Sequence, residues 1–178
     1  MALERYCPIL QVVGYQNSGK TTLMEKLITK SADQGLHVAS IKHHGHQVAQ
    51  KNEIRVKDSQ RHQQAGATIT AVEGGGSLQI HSKNQSWSLE KLLKLYEHFS
   101  PDLIFVEGYK KEQYPKVVLL RGEKDVVLLH EVTNILCAIT WKPLSVTEVE
   151  FPIFDLEDSS SYVEFILQKL SDEYETSI

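Results

Sequence analysis

At 178 residues, with 41% apolar and 24% charged residues, the chain has the length of one domain and the composition of an ordinary globular protein, which excludes fibrous and disordered classes. Nineteen basic against 23 acidic residues give a net charge of −4, which argues against a nucleic-acid surface or a polybasic membrane anchor but leaves room for a small cationic pocket. No run approaches the 18 or more apolar residues of a membrane helix, and the opening MALERYCPIL carries charges where a signal peptide is apolar, so a cytoplasmic protein is expected.

The first β-branched run, Ile9-Leu10-Gln11-Val12-Val13, lies between Pro8 and Gly14 and reads as a buried strand. Leu23, Met24, Leu27 and Ile28 then recur at helical spacing up to Gly35, a residue suited to the position just past a helix end. Val38-Ala39-Ser40-Ile41-Lys42 reads as a second strand, parallel to the first through a right-handed crossover. Residues 43 to 57 are polar and aperiodic, and a loop of that length in a small domain is usually functional. Asp58-Ser59 suits the cap of a short helix ending near Ala65-Gly66. Ile69 to Val72, Glu73 with Gly74-Gly75-Gly76, and Leu78 to His81 read as a hairpin with a tight glycine turn.

Leu89, Leu92, Leu93 and Tyr96 form one helical stripe between Ser88 and Phe99, with Ser88 as the capping residue. Leu103 to Val106, Val117 to Leu120 and Ile135 to Ile139 are continuous apolar runs, the pattern of strands covered on both faces. Tyr162 to Leu170 reads as a surface helix, followed by a polar tail over 171-178. The expected fold is three-layer α/β/α with a mostly parallel sheet, an added antiparallel hairpin, and a single domain over residues 1-170. Cys7 and Cys137 are the only cysteines, too few for a disulfide framework or a four-cysteine zinc site, and are expected as buried reduced thiols.

Between the first strand and the first helix stands Gly14-Tyr15-Gln16-Asn17-Ser18-Gly19-Lys20-Thr21, which satisfies GxxxxGK[ST] in the strand-loop-helix context that the motif requires. Backbone N–H groups of such a loop, with the positive end of the emerging helix, hold a polyphosphate without many basic residues. Gly14, Gln16, Asn17, Ser18, Gly19, Lys20, Thr21 and Thr22 are therefore the candidate nucleotide-binding residues. Lys20 is expected at the β- and γ-phosphates and the Thr21 hydroxyl on Mg²⁺.

Ligands of doubly wound sheets bind beyond the carboxyl ends of the strands, which points to Glu107 rather than Asp102 on the strand that starts at Leu103. Glu107 is the candidate Walker B carboxylate, in the Mg²⁺ shell or orienting a water, and Lys20 and Glu107 are the candidate catalytic pair. Lys42-His43-His44-Gly45-His46 follows the second strand at the same face. A phosphate contact by Lys42 and a histidine, a metal site and a plain solvent loop are all open there. Asp58, Arg61 and His62 open the next helix and either face the cleft or form its polar side. No N-K-x-D guanine-reading pattern is present, and Thr140-Trp141-Lys142-Pro143 is the segment where a base would lie.

These residues resemble the molybdopterin-guanine dinucleotide biosynthesis protein B (MobB) family. The resemblance is carried by GYQNSGKTT at 14–22, IKHHGH at 41–46, KDSQRHQQAGA at 57–67, AVEG at 71–74 and DLIFVEGYK at 102–110, in family order. It implies a homodimeric P-loop GTP-binding protein with weak Mg²⁺-dependent GTPase activity. Such a protein is an accessory to the MobA-type guanylyltransferase that joins GMP to molybdopterin. It also implies that Lys42, His43, Asp58 and Arg61 fall in signature loops, as phosphate or molybdopterin contacts, and that Trp141 stands where a more polar residue is common. The competing functions are a nickel-type metal-insertion GTPase, drawn from HHGH, and a small-molecule kinase. The kinase reading finds only Arg5, Arg55, Arg61 and Arg121, scattered along the chain, for a phosphate lid.

Overall fold

The computed structural model describes residues 7–43, 57–82, 86–146 and 149–176. Among them lie eight strands and five helices: β1 (Ile9–Gly14), α1 (Lys20–Asp33), β2 (Val38–Lys42), α2 (Lys57–Gln64), β3 (Ile69–Gly74), β4 (Ser77–Ser82), α3 (Leu89–Glu97), β5 (Leu103–Glu107), β6 (Lys116–Leu120), α4 (Val127–Glu131), β7 (Ile135–Thr140), β8 (Ile153–Asp155) and α5 (Ser159–Thr176). The chain divides into two compact units, Met1–Gly45 with Leu92–Ile178, and His46–Lys91.

The first unit is built on a six-stranded sheet in the order β2-β5-β1-β6-β7-β8, every neighbouring pair parallel. β5 and β6 are apolar at nearly every position and completely buried, as strands covered on both faces must be. Alternating side chains divide between two cores. Leu10, Val12, Phe105, Leu119 and Ile139 pack with Leu23 and Leu27 of α1 and Tyr162 and Ile166 of α5. Val13, Val118, Leu120 and Ala138 pack on the other side with Leu128 and Leu129 of α4. From β1 the chain crosses to one side for β2, and from β5 it crosses to the other for β6, so the strand order reverses at β1, where α/β sheets bind ligands.

The second unit holds α2 and the β3–β4 hairpin. Its turn residues Gly75 and Gly76 have φ of +58° and +78°, the two-residue turn whose twist matches paired strands. α2 begins at Lys57, so Asp58 lies in its first turn rather than at the cap.

The helix ends follow the expected chemistry. Leu36 N–H donates to Ser31 O and Gly35 N–H to Ala32 O, with Gly35 left-handed, which closes α1 in a Schellman motif. Ser88 Oγ accepts from Lys91 N–H at the start of α3. α5 runs past the periodic stripe at both ends. Asp158 Oδ1 accepts from Ser161 N–H ahead of it, and polar residues with no glycine or proline after Leu170 continue the helix to Thr176 instead of leaving a tail. β8, α4 and a 3-10 turn at Glu123–Asp125 are too short to show a period in the sequence. Cys137 is buried and Cys7 half-buried, and the two form no disulfide. No helix among the described residues is long and apolar enough to cross a membrane.

Candidate nucleotide-binding site

Gly14 ends β1 where a Cβ would lie 2.5 Å from Ser18 Oγ and 2.9 Å from the Leu119 carbonyl oxygen, so only glycine lets the chain turn there. The loop then bends through two left-handed residues, Asn17 (φ +58°) and Gly19 (φ +93°), into α1. Gly19 is the N-cap and offers no side-chain cap, which leaves the first-turn amides of α1 to an incoming acceptor. Ser18 is fully buried and its Oγ has no hydrogen-bond partner. Lys20 Nζ folds back and donates to the Tyr15 carbonyl at 2.7 Å.

Three side chains meet beside the loop. The register of β2 on β5 sets Lys42 opposite Glu107, and Lys42 Nζ lies 3.2 Å from Glu107 Oε1. Thr21 Oγ1 donates to Glu107 Oε2 at 3.3 Å and stands 3.3 Å from Lys42 Nζ. Glu107 is only 8% exposed, so the ammonium supplies the counter-charge that a buried carboxylate needs. The turn after Glu107 is held tightly. Gly108 (φ +97°) and Tyr109 (φ +52°) are both left-handed, and a Cβ at Gly108 would approach His43 Cβ to 3.2 Å. The His43 ring lies 4.3 Å from the Tyr109 ring. From below, fully buried Gln11 donates through Nε2 to the carbonyls of Gly108 at 3.0 Å and Tyr109 at 2.7 Å.

Burial holds the Lys20 ammonium below its ordinary pKa; Glu107 opposes that shift, while Lys42 and Arg121 add to it. The cluster is thus short of negative charge, the condition a polyphosphate relieves. Thr21 and Glu107 present only hard oxygen donors, already bridged by a cationic group, a donor set that fits Mg²⁺.

The sequence-derived residues Gly14 to Thr21, Lys42, His43 and Glu107 come together in this one region of the first unit. Gln16 and Asn17 are exposed at the loop crest. The Thr22 side chain lines an open groove between α1 and α5. Asp58 and Arg61 lie on α2 in the second unit, while His44, Gly45 and His46 lie outside the described residues. Among the described residues no three His, Cys, Asp or Glu side chains group as metal ligands. Sequence reasoning missed Gln11 and Arg121. Arg121 is the first residue past β6, and the strand-end rule that singled out Glu107 applies to it equally. Trp141, considered only for the base, donates from Nε1 to the Ser18 carbonyl at 3.1 Å.

Residues 9–141 match the family model described as molybdopterin guanine dinucleotide synthesis protein B, MobB. The chain belongs to the MobB family. A Bacillus subtilis (strain 168) protein named a probable molybdopterin-guanine dinucleotide biosynthesis adapter protein is 42% identical over 97% of this chain and 99% of its own length. The Haemophilus influenzae adapter protein of the same name is 32% identical over 92% and 90%. The crystal structure of Bacillus subtilis MobB superposes with a TM-score of 0.78 at 41% identity, covering 90% of this chain and 96% of that one. The MobB homologue from Bacillus stearothermophilus gives 0.77 at 38%, covering 92% and 98%. Every residue of the loop, and Lys42, Glu107, Arg121 and Trp141 beside it, falls inside the MobB match.

Proposed function

We propose that this chain is a nucleotide-binding adapter of molybdopterin-guanine dinucleotide biosynthesis, with GTP as its ligand and a weak, Mg²⁺-dependent GTPase activity. The observation that carries the nucleotide part is the loop itself: an uncapped helix start, two left-handed residues, and a lysine whose pKa burial lowers. The amides of residues 16–21 hold the β- and γ-phosphates, and Lys20 leaves the Tyr15 carbonyl to neutralise them. Thr21 and Glu107 would hold Mg²⁺, which when bound neutralises phosphate charge. Lys42 then transfers its charge from Glu107 to a phosphate oxygen. Glu107, freed from that ion pair, accepts a hydrogen bond from the attacking water and orients it. Slow turnover fits this set, because Arg121, the arginine beside the loop in the first unit, is engaged by Asp125.

The adapter part rests on family membership and on the names of the relatives, and the guanine preference on what the motif resemblance implies. The partners are a MobA-type guanylyltransferase, its molybdopterin substrate and a second copy of the chain, in the cytoplasm. The direct test is co-purification of the full chain with a molybdopterin guanylyltransferase in Mg·GTP, in Mg·ATP and without nucleotide. Retention is expected to be strongest in Mg·GTP; no retention in any of the three contradicts the adapter role.

A further inference from the structure

We infer that Arg121 and Trp141 are positioning residues that set the direction of the phosphate-loop amides, an inference that rests on the nucleotide-binding reading above. In a trans peptide unit the carbonyl of one residue and the N–H of the next point in opposite directions. Arg121 Nη1 donates to the Gln16 carbonyl at 3.2 Å, and Trp141 Nε1 donates to the Ser18 carbonyl at 3.1 Å. Each bond therefore turns the following amide, that of Asn17 or Gly19, away from the donor. These two amides belong to the two left-handed residues of the loop, where alternating backbone handedness forms an anion-binding nest. Loss of either donor frees its peptide unit to rotate and take an amide out of the nest.

Both donors are themselves fixed to the sheet. The Arg121 guanidinium forks onto Asp125, Nε to Oδ2 at 2.8 Å and Nη2 to Oδ1 at 3.0 Å, and Arg121 N–H also donates to Asp125 Oδ2. Asp125 is 5% exposed and cannot swing outward without breaking three bonds. Trp141 N–H is tied to the Leu120 carbonyl, so the indole is carried by the paired ends of β6 and β7. Neither residue is part of the GxxxxGK[ST] pattern.

The test uses the full chain with Mg²⁺ and two probes, inorganic tripolyphosphate and GTP. Trp141→Phe keeps the aromatic ring and removes the donor; Arg121→Lys keeps the charge and removes the fork. Each variant is expected to weaken both probes by the same factor, roughly tenfold. In the ligand-free protein, the ¹H–¹⁵N resonance of Gly19 shifts in the first variant, with the thermal midpoint unchanged, and that of Asn17 shifts in the second, with a lower midpoint because buried Asp125 loses the fork. Trp141→Phe that costs GTP but spares tripolyphosphate overturns the inference in favour of a base contact. Wild-type affinity for both probes in both variants, or a fall in thermal midpoint with affinity intact, overturns it as well. Wild-type protein that binds neither probe overturns the nucleotide reading along with it.

Discussion

Gly14 shows how one missing side chain decides the loop. A Cβ there meets a backbone oxygen, Leu119 O at 2.9 Å, which cannot move without displacing β6. Gly14→Ala is expected to lower stability by about 1–3 kcal/mol, the range for overpacking a rigid site, and to weaken polyphosphate binding. Denaturant unfolding and titration check the two effects, and an unchanged midpoint contradicts the close approach. Lys20 gives a pH dependence of definite sign. Burial depresses its pKa in the empty site, and a bound triphosphate raises it again, so binding takes up a proton in the alkaline range below the ordinary lysine value of 10.5. Affinity should fall by up to about tenfold per pH unit as pH rises through that window. Titrations in buffers of different ionisation enthalpy measure the uptake directly; pH-independent affinity with no proton uptake contradicts it.

At the scale of elements, the β3–β4 hairpin isolates backbone strain from packing. Gly75 is left-handed and a Cβ there meets nothing within 4 Å, so Gly75→Val acts through its φ alone. The strain of about 1–2 kcal/mol should speed amide hydrogen exchange across β3 and β4 while β1 and β5 keep their protection. Unchanged exchange in the hairpin contradicts the turn type. This turn was legible in the sequence because glycine pairs have a specific backbone use. So were β1, β5, β6 and β7, whose apolar runs are dictated by burial on both faces, and β2, a half-exposed edge strand that Val38 and Ile41 still mark. What stayed hidden was short or polar: α4 and β8, below the length at which a period shows, and the last turns of α5, whose sequence carries no apolar stripe. The side chains that tie the site together were hidden for another reason. Gln11, Arg121 and Trp141 act through contacts to carbonyls 97, 105 and 123 positions away, which only the sheet order brings near.

For the whole molecule, the sheet order does the assembling. β1 delivers the loop at the point where strand order reverses, its neighbours β5 and β6 deliver Glu107 and Arg121, and the strands beyond them deliver Lys42 and Trp141. Five strand ends from across the first unit thus converge on one loop of eight residues, Gly14 to Thr21, which is why a net acidic chain can present a local cluster of cations. The motif fixed the loop's chemistry in advance, whereas the groups that balance its charge emerged only with the topology. The central claim is that this loop grips the phosphates of a nucleotide through its amides and the Lys20 ammonium. Calorimetric titration of the full chain with Mg·GTP, wild type against Lys20→Ala, tests it most directly. Saturable one-to-one binding that weakens by about a hundredfold in the variant, the loss of a charge-assisted contact to phosphate, is the result expected; equal affinity of the two proteins for Mg·GTP would contradict it.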